Sequence, residues 1–475
     1  MQLPRTLGCS RLVLGVLCCA LLAQCGTPRP REHAASANVR EVTQPEAASD
    51  AGDSRSVLSM SDAATRGDAA SSDAASQDAS ARPARADGGA TDAAASDAGT
   101  VDALEAEVLA ACGEPPVSTD SFSREKLRES GGRCAIYHYC AFETAAAALE
   151  RATEAYARDR GEPQREAAQA SYRAAMKRWS RAELFQFGPA ASASMSAGRD
   201  VYQGQGLRDR IYAWPTVSRC RVEEQIAEET PDPATALISA RGLFALDYAL
   251  FFAEEGSECA DGSRAATVLA ELSRDQLRER KASYAAAVAR DLRVQARTLI
   301  DAWSPSGGDF LGSFTRAEGY PSEQEALNVL GWALIYVERE MKDWKLGIPA
   351  GYTMTSPVSV AESPFAQLGT EALRENLRGF RALFEGCGAQ GEGLGFDDWL
   401  REAGHAELVA DIVSAYERSQ RALDELAPLS TASPEQLDSA YQSLRELTAL
   451  LKGDLFGAGS PLGLKLPASV EGDTD

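Results

Sequence analysis

Three serines in this chain stand just ahead of a helical pattern and are followed, three residues on, by a side chain able to reach back to them. The boxes are Ser273-Arg274-Asp275-Gln276, Ser322-Glu323-Gln324-Glu325 and Ser433-Pro434-Glu435-Gln436. Such a box pairs two of the amide donors that every helix start leaves open, so each one marks a helix N-terminus. The third also places Pro434 in the first turn, where a missing N–H is harmless. Helical periodicity follows each box, to about Trp303, Leu346 and Phe456 respectively. Further helical stretches run over 136–158, 164–187 ahead of Gly188-Pro189, 370–384, and 396–426 with a break near Gly404. No convincing run alternates apolar and polar residues as a strand must. The expectation is an all-α fold of two packed helical bundles. They are placed at 106–305 and 306–460, divided in the Gly- and Ser-rich stretch Ser304–Tyr320, with a disordered tail over 461–475.

The first hundred residues read differently. Arg5 and Arg11 flank the start of a short apolar run, Leu12–Ala23, which is too short for a typical membrane span and suits an export signal. It ends in Leu22-Ala23-Gln24-Cys25-Gly26, which resembles the lipobox of bacterial lipoproteins. Cys25 is therefore expected to carry lipid and to become the mature N-terminus. Gly26 rather than Asp after it points to the outer membrane of the bacterial envelope. Residues 26–105 are mostly Ala, Ser, Asp and Gly, with too little apolar surface to offset the entropy of ordering. They are expected to form a disordered tether behind the 1–25 signal peptide.

Charge and rare residues narrow the function. Asp and Glu outnumber Lys and Arg by 70 to 48, a formal net charge of −22. Nucleic acid is not an expected partner, because it demands a basic stripe. The only histidines are His33, His138 and His405, which argues against a multi-histidine metal site. His138 and His405 read as surface or satisfied residues. Beyond Cys25 the exported part holds Cys112, Cys134, Cys140, Cys220, Cys259 and Cys387, an even number that suggests disulfides. Cys220 and Cys259 flank the stretch 236–252 and are the first expected pair; the others stay open.

That stretch, Ala236–Phe252, is the chemical centre of the sequence. Leu243, Leu246 and Leu250 share one helical face, while Arg241, Phe244, Asp247 and Tyr248 share another. Charged groups on so apolar a helix must be satisfied if buried. Arg241 and Asp247 stand six residues apart, a poor spacing for direct contact. Glu362 is the candidate carboxylate from the opposite half, and Asp247 with Glu362 would suit a hard cation through oxygen ligands. The competing reading makes Arg241 and Asp247 satisfied structural groups. Tyr212, Trp214 and Tyr248 add aromatic faces that fit either peptide or sugar binding, or core packing. Ser363 is a weak nucleophile candidate, with no histidine base placed by the sequence. Trp179 and Trp344 read as core, and Arg274, Glu279, Arg280 and Lys281 as a solvated stripe.

Gly242-Leu243-Phe244-Ala245-Leu246-Asp247 resembles the Gly-x-His-x-x-Glu motif of the imelysin-like peptidase family. Other segments resemble the family in the same order. They are Trp179, Glu183 and Phe187-Gly188-Pro189; Arg210 to Pro215; Lys342 to Gly347 with Pro349; and Glu362-Ser363-Pro364-Phe365 followed by Asn376 to Gly379. The resemblance spans roughly residues 122–456. It implies an all-helical, exported protein linked to bacterial iron acquisition, with a site near the His-x-x-Glu helix. In that motif, residues i and i+3 project to one side, so an imidazole and a carboxylate can share one metal ion. Here Phe244 offers no lone pair, and Asp247 is a methylene shorter than Glu.

Three functions follow as expectations. The first is an envelope lipoprotein binding iron, another divalent metal, a metal chelate, a peptide or an oligosaccharide, beside iron-transport partners. Its cleft would be lined by Tyr212, Trp214, Arg241, Phe244, Asp247, Tyr248, Glu362 and Ser363. The second is a metallopeptidase with altered ligands. The third is a structural protein with a decayed site.

Overall fold

The computed structural model describes residues 103–191, 204–253, 256–352, 361–468 and 470. The signal peptide, Cys25 and the tether up to residue 102 lie outside the described residues. Residues 103–105, expected to finish the tether, already belong to a helix, α1 (103–112).

Helices make up the fold, and there is no strand among the described residues. In order they are α2 (Arg124–Arg158), α3 (Glu162–Ala182), α4 (Leu207–Ile211), α5 (Arg219–Ala227), α6 (Gly242–Phe251), α7 (Arg264–Glu271), α8 (Arg274–Trp303) and α9 (Phe310–Thr315). Then come α10 (Glu323–Trp332), a π-helical segment (Val337–Gly347), α11 (Ile348–Ala350), α12 (Gly369–Phe384), α13 (Phe396–Glu402), α14 (Ala406–Glu425) and α15 (Pro434–Leu450). The boxes at Ser273 and Ser433 close reciprocally, and the Ser322 side chain caps α10 by accepting from Glu325 N.

Helices α2, α3, α6 and α8 pack as one bundle. The π segment, α12, α14 and α15 form the second, and α3 against α12 joins the two. The all-α, two-bundle expectation therefore holds. The division at 304–320 is less sharp than expected. Phe310 of α9 is buried edge-on against Trp303 and Phe314 against Phe187, and α9 packs on α2, so a single apolar core runs through both halves. The expected free tail is likewise packed where it is described. Leu462, Leu464 and Val470 are buried, and Trp332 Nε1 donates to Lys465 O at 2.7 Å.

Three disulfides link the folded part: Cys112–Cys140, Cys134–Cys387 and the expected Cys220–Cys259. Cys134–Cys387 ties α2 to the loop beyond α12, so it staples the two halves together.

Two glycines set helix geometry near the centre. Helix α2 begins twelve residues before the expected 136 and keeps Gly131 and Gly132 inside it. A Cβ at those positions would lie 2.8 Å from Leu330 Cδ1 and 2.6 Å from Leu311 Cδ1, so close packing outweighs glycine's low helix propensity.

Candidate functional site

Helix α6 is shorter than the periodicity of 236–252 suggests, and the reason is Gly242. Its φ is +69°, and a Cβ there would meet Ile211 O at 2.2 Å. Only glycine fits such a turn beside another backbone. The chain therefore bends ahead of Gly242, through a 3-10 turn at Ile238–Ala240, and Arg241 sits outside the helix with extended backbone. Arg241 consequently leaves the face shared by Phe244, Asp247 and Tyr248. It makes a two-pronged pair with Asp291 of α8, at 3.0 and 2.6 Å, and donates to Ala234 O. Both residues are buried, so Arg241 is a satisfied structural group, separate from Asp247.

Asp247 is fully buried and faces the loop beginning at residue 361. Its Oδ1 accepts from Ser363 Oγ (3.1 Å) and Ala366 N (2.9 Å), and its Oδ2 accepts from Phe365 N (3.2 Å). Burial pushes its pKa up to about 7, against the pull of these three donors. Ser363 holds a left-handed φ of 46°, and its hydroxyl stands between Asp247 and Tyr172 OH, which is 3.1 Å away. With no histidine beside it and 1% exposure, Ser363 is a bridging hydroxyl here and not an activated nucleophile.

Phe244 packs its ring 6.2 Å from that of Phe365, and Phe365 also stacks edge-on against Tyr248 and Phe252. The loop thus covers the position that a metal-binding histidine would occupy. Tyr248 points elsewhere, donating its hydroxyl to the buried Glu223 at 3.0 Å.

Glu362 sits one residue before Ser363 and opens onto a second buried group of charges. Lys345 Nζ lies 2.9 Å from Glu362 Oε2, pairs with Glu183 and donates to Asn376 Oδ1 at 2.9 Å. Glu183, the C-cap of α3, also faces Arg208 of α4 at 3.4 Å and accepts from Asn376 Nδ2 at 3.1 Å. Arg208 donates to Trp214 O at 2.8 Å, and its guanidinium lies 5.7 Å from the Tyr212 ring. Every one of these side chains is buried. Burial raises the Glu362 pKa to about 7 against the attraction of Lys345. Burial also pushes Glu183 upward, but Lys345 and Arg208 outweigh it and hold that carboxyl below its ordinary range. The polar atoms of this group without a hydrogen-bond partner are Arg208 Nε, both Glu362 oxygens and the hydroxyls of Tyr212 and Tyr336, Glu362 Oε2 meeting Lys345 as an ion pair.

The structure thus brings Asp247, Ser363 and Glu362 together with Tyr212, Trp214 and Phe244 at the seam between the bundles. Arg241 and Tyr248 are turned to other partners. The residues do not fit a catalytic metal. Asp247 spends its oxygens on protein donors, position 244 is a phenyl ring, and the cation beside Glu362 and Glu183 is the Lys345 ammonium. Neither Asp247 nor Glu362 belongs to a cluster of three metal-ligating side chains among the described residues. Among the described residues, Asp247, Ser363 and Glu362 line none of the principal cavities; a cavity of about 600 Å³ lies over α2, α3 and α12 instead.

Sequence reasoning missed Lys345, Glu183, Arg208 and Asn376 as a unit. Its signal was available: Glu183 and Lys345 stand inside the family-like segments, each beside apolar residues. The other histidines also differ from expectation in part. His405 is exposed, but His138 is buried against Phe185. Lys281 is no part of a solvated stripe, because its Nζ donates to Phe252 O at 2.8 Å and lies over the Tyr248 ring.

The sequence profile of the imelysin family, peptidase M75, matches residues 135–451. The fold is similar to the crystal structure of an imelysin-like protein from Psychrobacter arcticum 273-4, with a TM-score of 0.55 and 16% identity, covering 74% of this chain and 99% of that one. It is also similar to a protein described as an iron-regulated protein A precursor from Parabacteroides distasonis ATCC 8503. There the TM-score is 0.53 and the identity 14%, covering 71% of this chain and 96% of that one. No curated protein matches the sequence.

Proposed function

The chain belongs to the imelysin family, and from that premise we propose that it is a non-hydrolysing member. In this reading it is a lipoprotein held through Cys25 to the outer membrane of the bacterial envelope, where it captures a ligand for iron acquisition. The observation that carries the reading is the replacement at the motif: Phe244 has no lone pair, and Asp247 is consumed by Ser363 and two backbone amides. A zinc-bound water needs three protein ligands and an open position, and this seam offers neither. The seam acts as a lock that fixes the bundles against each other.

Capture then falls to the open surface. The 600 Å³ cleft over α2, α3 and α12 is lined by Lys177, Arg178, Arg181, Arg378 and Arg381, interleaved with Glu105, Glu114 and Glu375. Such a mixed, cation-rich lining suits a ligand bearing several carboxylates, including a carboxylate chelate of ferric iron. The name of the Parabacteroides relative supports the iron connection, and the lipobox-like Leu22–Gly26 supports the anchor.

The test is a cleavage assay on an unfolded protein substrate, run with zinc, with ferrous iron and with a chelator, beside calorimetric titration with ferric citrate. No cleavage under any condition, together with saturable heat from the chelate, is the expected result. Chelator-sensitive cleavage that disappears in Asp247→Ala would replace this reading with that of a peptidase with altered ligands.

A further inference from the structure

The cleft wall contains a group that neither the seam nor the capture reading uses. Cys134 and His138 stand four residues apart on α2, so their side chains share a face. The Cys134–Cys387 disulfide brings the third member to them. One ring nitrogen of His138 and the sulfurs of Cys134 and Cys387 all lie within 4.8 Å of one another. All three residues are buried, and His138 Nε2 has no hydrogen-bond partner. A structural disulfide needs no imidazole beside it. Burying an unpaired ring nitrogen is costly unless something engages it. His138 and Cys387 both line the 600 Å³ cleft, so the group has a route to solvent.

We propose that Cys134, His138 and Cys387 form a redox-gated site for one thiophilic divalent ion, Zn²⁺ being the natural occupant. The gate is the disulfide. A dithiol reductant delivers two electrons and two protons, the S–S bond breaks, two S–H bonds form, and the dithiol leaves as its own disulfide. The metal then displaces both thiol protons to solvent and takes the lone pair of neutral His138. Two sulfurs and one nitrogen make a three-ligand site whose fourth position opens to the cleft. Ligand atoms about 2.3 Å from a tetrahedral zinc lie roughly 3.8 Å apart, so released cysteines and the ring reach that geometry by side-chain rotation. Thiolate and imidazole also select such ions over calcium or magnesium. A small-molecule or protein disulfide takes up the two electrons with two protons and leaves as a dithiol, while the Cys134–Cys387 S–S bond re-forms, the ion is expelled and the staple between the bundles is restored. The site rests on neither reading of the Asp247 seam.

The experiment uses the full chain in a Cys220→Ser, Cys259→Ser background, which removes the competing Cys220–Glu224–Cys259 group. The protein is reduced with a dithiol, freed of it by anaerobic gel filtration, and titrated with Co²⁺ as a spectroscopic stand-in for zinc. One equivalent is expected to bind, with thiolate-to-cobalt charge-transfer bands and tetrahedral d–d bands. The oxidised protein should show none. Cys387→Ser should abolish the bands, and His138→Gln should weaken binding by about tenfold or more, since even supporting residues around a metal contribute that much. Circular dichroism checks that each protein is folded. Should His138→Gln misfold, X-ray absorption of the zinc-loaded reduced chain decides by itself. Two sulfur neighbours and at least one nitrogen are expected. A shell of oxygen and nitrogen alone, equal binding by oxidised protein, unchanged affinity in a folded His138→Gln, or unfolding on reduction would each overturn the site.

Discussion

Replacing Lys345 with methionine keeps a long unbranched apolar stem and deletes the ammonium, with its charge and its N–H donors. The ammonium is fully buried among Glu183, Glu362 and Asn376, so its loss leaves two carboxylates facing each other with Arg208 alone to balance them. Removing one partner of a buried pair typically destabilises by about 3–5 kcal/mol. Unfolding entropy grows with chain length, so for a unit this large each kcal/mol corresponds to roughly 1–2 °C, giving a fall in Tm of roughly 3–10 °C at pH 8. The pH dependence is the sharper test. Glu362 has a folded pKa of about 7, above its ordinary 4.5. A carboxyl raised on folding binds its proton more tightly in the native state, so its stabilising contribution is complete below pH 4.5 and lost as pH rises through 7. Without Lys345 the preference for the proton strengthens. The gap in Tm between wild type and Lys345→Met should therefore be largest at pH 8 and shrink towards pH 5, where Glu362 takes up a proton. Differential scanning calorimetry from pH 5 to pH 8 measures it. Equal melting temperatures at pH 8, or a gap independent of pH, would refute the claim that Lys345 is the cation of the seam.

Three more outcomes follow from the same geometry. Asp247→Asn cannot ionise; the wild type, with a folded pKa of about 7 against an ordinary 3.8, should lose stability between about pH 4 and pH 7 by on the order of 4 kcal/mol, and the variant should show a much flatter profile in pH-dependent melts. Gly242→Ala should destabilise by about 2–4 kcal/mol in denaturant titrations, because a Cβ meets the Ile211 carbonyl at a positive φ. Phe244→His restores the family-like motif residue but should bring no peptide cleavage in the unfolded-substrate assay, since Asp247 stays bound to Ser363, Phe365 and Ala366.

The helical architecture was legible because capping is local chemistry. Ser273 and Ser433 with their glutamines close the boxes that their spacing promised. The break near Gly404 is real for a similar reason: its φ of +86° ends one helix before the next begins at Ala406. What the sequence concealed depends on contacts between distant segments. Gly131 and Gly132 look like helix breakers until Leu330 and Leu311 press on them. The helix expected from Ser322 to Leu346 instead stops at Trp332 and resumes as a π-helical segment. Arg241 looked like a member of the Asp247 face because the bend at Gly242 is set by Ile211, thirty-one residues earlier. The pairing of Asp247 with Ser363, and of Glu183 with Lys345, crosses from one bundle to the other. The Cys220–Cys259 bridge was readable from its position around the 236–252 stretch, whereas Cys134–Cys387 spans 253 residues and has no local sign.

The central claim is that a protein cation, and no metal ion, neutralises the carboxylates at the seam. Anomalous diffraction from crystals equilibrated with zinc or ferrous iron tests it most directly. The account predicts Lys345 Nζ against Glu183 and Glu362, with no anomalous peak within bonding distance of Asp247 or Glu362. A metal ion coordinated by either carboxylate, with Lys345 displaced, would contradict it.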